Sequence, residues 1–75
     1  MKVYVLVEFV DYEDSHIKGV MNLEENAWKW TEEQIKAWVN ERDYPAETEK
    51  SITKLPKGFK FRDHGFIFEE WEVIQ

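Results

Sequence analysis

The spacing of hydrophobic positions changes several times along the chain, and each change marks an element. Residues 2–10 (KVYVLVEFV) are β-branched or aromatic almost throughout. Alternation sends Val3, Val5, Val7 and Phe9 to one side of a strand and Tyr4, Leu6, Glu8 and Val10 to the other. Both rows are largely apolar. A central strand has that pattern, and so has a strand with one face in the core and the other against a second copy. Asp11 to Ser15 is turn-rich and acidic, and 16–21 (HIKGVM) resumes a short strand, so the first unit is a hairpin with a charged tip.

From Leu23 to Arg42 the period becomes helical. Leu23, Ala27, Trp28, Trp30, Ile35, Trp38 and Val39 gather on one half of a wheel, and Glu25, Lys29, Glu32, Glu33, Lys36 and Asn40 on the other. Asn22 with Glu25 three positions later predicts an N-cap with its capping-box partner. A second helix starting at Thr31 competes with this reading, but the apolar stripe runs unbroken across Thr31 and favours one helix. Tyr44-Pro45 predicts its stop, because proline disfavours a helical residue before it. Residues 43–57 lack clear periodicity, and a connection that long is either a functional loop or hides a short element around Ser51–Leu55. Phe59 and Phe61 then alternate with Lys60 and Arg62. Asp63-His64-Gly65 predicts a tight turn with Gly65 left-handed, and 66–74 alternates again. The order β-β-α-loop-β-β gives an α+β fold: an antiparallel sheet of about four strands with one amphipathic helix on a face, in a single domain over 1–75.

Composition narrows the function. The chain has 75 residues, no cysteine, four tryptophans and a formal charge of −6. One small core carries the fold without disulfide or thiolate-zinc support. Acidity argues against direct binding to nucleic acid or anionic membrane. No segment approaches the roughly 18 apolar residues of a membrane span, and Met1-Lys2 leads straight into a strand, so a cytoplasmic location is expected.

The charge is unevenly placed. Lys50, Lys54, Lys57, Lys60 and Arg62 fall in a stretch without a single acid, and the rest of the chain is acidic. These cations suit a phosphate or an acidic partner surface and, interleaved with Phe59 and Phe61, single-stranded nucleic acid. The simpler account is that Lys60 and Arg62 face Glu69, Glu70 or Glu72 across the ladder. The tip, Asp11, Glu13, Asp14 and His16, has oxygen ligands for a hard cation but not the spacing of an EF-hand, and a solvated turn accounts for it. His64 beside Asp63 has the makings of a base, yet Ser15 and Ser51 lie in loops that form no triad. Catalytic residues, metal and cofactor are therefore all assigned as none.

The segments KVYVL, IKGVMNLEENA and GFKFRDHGFIFEEWEVI resemble a family of very small bacterial and phage proteins with no assigned activity. Those proteins have a V-Y-x-L first strand, a second strand ending in G-V, a helix opening E-x-A and a C-terminal G-F strand. The match covers about two thirds of the chain and fails over Trp28–Lys57. It implies the same hairpin–helix–strand fold, and a phage or mobile-element origin.

The functional expectation is a non-enzymatic, acidic protein-interaction module that binds and inhibits a host or defence protein, with nucleic-acid mimicry as one mechanism. Its contact residues would be Asp11, Glu13, Asp14, Trp28, Trp30, Glu32 and Glu33, with one of the two helix-edge tryptophans partly exposed. The alternative is a homo-oligomer that binds a nucleotide or phosphate through Lys54, Lys57, Lys60 and Arg62. A homo-oligomer using the second sheet face as its contact, motivated by the two-sided apolarity of residues 3–10, is a third reading.

Overall fold

The computed structural model describes residues 1–11, 13–42 and 51–74. The Tyr44-Pro45 stop and Lys50 lie outside them. Five strands and one helix follow in the order β1 (Lys2–Val10), β2 (His16–Met21), α1 (Glu24–Glu41), β3 (Thr53–Leu55), β4 (Gly58–Phe61) and β5 (His64–Glu72). The strands form one antiparallel sheet, β2-β1-β5-β4-β3, against which α1 packs. This is the expected α+β class. The extra strand is the short element anticipated near Ser51–Leu55, which pairs Thr53 with Lys60 and Leu55 with Gly58.

The helix side of the sheet is set by register. Leu6 stands opposite Phe68, Glu8 opposite Phe66 and Phe59 opposite Phe66, so these side chains share a face. Two joined clusters fill it. Tyr4, Leu6 and Phe68 enclose Ala27, while Phe61 and Phe66 enclose Ile35 and Val39. Trp28 and Trp30 are half-buried: Trp28 lies edge-on to Phe68 and Phe59, and Trp30 edge-on to Phe66. The sheet is wide enough to receive both edges of the helical stripe, and both helix-edge tryptophans pack against it while staying partly exposed. The exposed tryptophan is Trp71, at 55%.

The helix is continuous through Thr31. That side chain is fully buried, and its Oγ1 donates to the Trp28 carbonyl at 2.8 Å, which satisfies the hydroxyl inside the helix instead of capping a new one. The expected Asn22 cap does not form. The N-cap is Leu23, in an extended conformation and without a side-chain cap bond, because the first turn begins one residue later than the Asn22–Glu25 spacing requires. Leu23 is exposed and lies off the apolar face. Replacing it with serine supplies the missing acceptor for the first-turn N–H groups. We expect Leu23→Ser to stabilise the fold by about 1 kcal/mol, read as a higher urea midpoint at unchanged slope.

The predicted turn at Gly65 is also displaced. Phe61 pairs with His64, so the β4–β5 loop is Arg62-Asp63, and Arg62 takes the positive φ of 56°. Gly65 is a buried strand residue. The Phe9 ring lies where its Cβ would be, and that close approach accounts for the glycine.

Candidate functional site

Two surfaces carry unusual chemistry. The first is a polar cleft of about 580 Å³ at the hairpin end, lined by Glu8, Glu13, Asp14, His16 and His64 among others. Glu8 projects from β1 toward the helix side. There its Oε2 accepts from His64 Nε2 at 2.8 Å, and its Oε1 lies 3.4 Å from Lys18 Nζ. Lys18 reaches this carboxylate because the β1–β2 register shifts between Leu6 and Val7, making it the extra residue of a bulge. His64 stacks on Trp38 with centroids 4.6 Å apart and planes 18° apart, and its ring meets Phe66 on edge. The Arg42 guanidinium lies 3.9 Å from the Trp38 centroid. A run of charged and aromatic side chains, Lys18, Glu8, His64, Trp38 and Arg42, therefore extends from the edge strand to the C-cap of α1.

This run joins layers. The partner of His64 is Glu8, not the neighbouring Asp63, and the same carboxylate also serves Lys18. The imidazole nitrogen facing Glu8 is thus committed to a structural bond. Among the described residues no group of three or more histidine, aspartate or glutamate side chains is arranged to hold a metal ion.

The second surface is the side of the sheet away from α1. Val3, Val5, Val7 and Phe9 of β1 point there. Register adds Ile17 and Val20 of β2, Ile67 and Trp71 of β5, and Leu55 of β3. Among the described residues no element crosses this face. Ile17 is 73% exposed and Val20 58%. Between them and Trp71 lies a shallow groove of about 380 Å³ lined by Val5, Val7, Ile67 and Glu69. Trp71 Nε1 donates to Glu69 Oε2 at 3.0 Å, which ties the one carboxylate of the groove to the indole beside it.

The residues singled out by sequence are dispersed. Asp11 and Lys60, assigned to different readings, form an ion pair with each other. The β4–β5 register ends at Gly58–Ile67, so Glu69, Glu70 and Glu72 run past β4, and the acid that Lys60 meets comes from the end of β1. Lys54 turns to the opposite side of the sheet, its ammonium 5.1 Å from the Trp28 ring. Arg62 lies over Phe61 and Lys57 is exposed in the β3–β4 turn. Strand alternation thus divides the basic stretch between two faces. Glu13, Asp14 and Glu33 are exposed. Glu32 is bonded to Lys36 Nζ at 2.8 Å, and that bond, with the lysine charge, holds its carboxyl below its ordinary range.

Sequence offered this face as a contact between copies, from the two-sided apolarity of 3–10, but did not add Ile17, Val20, Ile67 or Trp71 to it. Only the β1–β5 pairing shows that the two rows are one surface.

Compared with protein-family models, curated proteins and solved structures, the chain matches none. The reading of function rests on the two surfaces themselves.

Proposed function

We propose that this chain is a non-enzymatic protein-interaction module whose contact surface is the sheet face opposite α1. One observation carries the reading: Ile17, Val20 and Trp71 stand exposed on one face, with half-buried Val3, Val5 and Ile67 and buried Val7 between them, and no described element covers it. Contiguous apolar surface on that scale is unfavourable in water and marks interaction sites in folded proteins. The polar cleft supports a binding role less well, because its central groups are spent on one another.

The acidic outer surface has a secondary part. Glu13, Asp14 and Glu33 remain exposed and give the approach of a partner its long-range electrostatics. A nucleic-acid-mimicking inhibitor of a host or defence protein has fewer free carboxylates at its disposal than the sequence suggested, since Asp11 is held by Lys60 and Glu32 by Lys36.

The test is a photo-crosslinking amino acid placed at position 17, on the open face, or at position 29, on the exposed side of α1. Discrete protein adducts are expected from position 17 and none from position 29. If position 17 is as silent as position 29, the open face is not a contact surface.

A further inference from the structure

We infer that the occupant of the open sheet face is a second copy of this chain, the two sheets stacking into a helix–sheet–sheet–helix sandwich. This rests on the reading above and names its partner.

Size is the first argument. Strands of nine residues rise about 3.3 Å per residue, and five strands lie roughly 4.8 Å apart. Since the outer strands are shorter, the face has a plan area on the order of 500 Å². Two such faces in contact bury about 1,000 Å², the lower limit for a specific interface. A smaller ligand would leave much of this apolar surface wet.

Charge is the second. The chain carries −6, yet among the described residues of the sheet face only Glu69 lacks an opposite charge beside it. Lys60 is balanced by Asp11, and Glu69 is bonded to the indole of Trp71. Two copies can therefore approach through this face without opposing their acidic helices, which end up on the far sides of the sandwich. A cationic partner drawn to the acidic surface would find only the Glu69 carboxylate to pair with in the groove.

Symmetry is the third. Stacked sheets pack about 10 Å apart with strands some 30° from parallel, and a two-fold axis lets one flat face complement itself. A single helix–sheet pair leaves the other face wet, and a second sheet is among the few layers that can close it.

Sedimentation equilibrium of the purified chain from about 1 to 100 µM, the range in which weak interfaces form, tests the assignment. The expected mass is twice the 9.1 kDa of one chain. Ile17→Lys combined with Trp71→Lys, both exposed in the single chain, should raise the dimer dissociation constant at least ~30-fold, the effect of losing one anchor side chain. Glu33→Lys on the outer side of α1 should leave the dimer intact. Circular dichroism establishes that each variant is folded, and the wild-type mass stands whether or not the double variant folds. A wild-type mass of one chain throughout overturns the proposal, and so does an undiminished dimer in a folded double variant. A monomer that still yields adducts to another protein from position 17 overturns only the second copy. A monomer with no adducts there overturns the interaction reading as well.

Discussion

Phe68→Ala is expected to leave the chain largely unfolded at 37 °C. Phe68 sits in the central strand at 1% exposure. Its ring is edge-on to Tyr4 at 5.9 Å and to Trp28 at 5.1 Å. It therefore joins β1 to α1, and its removal leaves a void that neither neighbour can fill without losing its own contacts. Truncations of this kind cost about 3–5 kcal/mol. A 75-residue domain holds only about 4–11 kcal/mol in total, from the usual yield per residue. The loss should lower the melting temperature by at least ~15 °C. A shift under about 5 °C would show that the ring is not enclosed as described.

Gly58→Ala is the second large effect, and its cause is steric. A Cβ at position 58 would press on the Phe66 carbonyl oxygen, come within 2.7 Å of Ile67 Cα and lie 2.8 Å from Ile67 Cγ2. Two of these three atoms are backbone, so no rotamer change relieves the contact, and β4 must move off β5. We expect a loss of about 3 kcal/mol, at the upper end for overpacking, together with faster amide exchange in β3 and β4. The other glycines calibrate it. Gly65→Ala meets the Phe9 ring, a side chain that can swing away, and should cost less. At Gly19 the nearest atom is Leu6 Cδ1 at 3.7 Å, an ordinary contact, so alanine there should be within about 0.5 kcal/mol of neutral. Equilibrium denaturation of the three variants checks the order. Gly65→Ala or Gly19→Ala proving as damaging as Gly58→Ala would contradict it.

Local pattern was enough to locate β1, β2 and α1, because alternation and helical period are properties of a single segment. The features that escaped are those in which one segment constrains another. Gly65 looked like a turn residue until β1 brought Phe9 across it. Asn22 had the chemistry of a cap, but the helix starts where Ala27 reaches Leu6 and Phe68, and that geometry leaves Leu23 at the cap. Trp28 and Trp30 looked too far apart on the wheel to be buried together, and the sheet reaches both only in part. Lys60 was set against the glutamates of its own hairpin, and its partner proved to be Asp11, from the other end of the chain. The candidate site shows the same division. Each strand disclosed its apolar row, while the continuous surface exists only through the register of β1 with β5 and β2.

That register also dictates the order of events during folding. Lys2 stands opposite Glu72, and Val73 N–H donates to the Met1 carbonyl at 2.7 Å, so the first strand made waits for the last. Until β5 arrives, β1 has β2 on one edge and bare amides on the other, with apolar side chains above and below. Contacts this distant in sequence slow folding, and an unpaired apolar strand is open to mispairing while it waits. A half-synthesised chain therefore exposes an apolar strand edge that the finished fold pairs with β5.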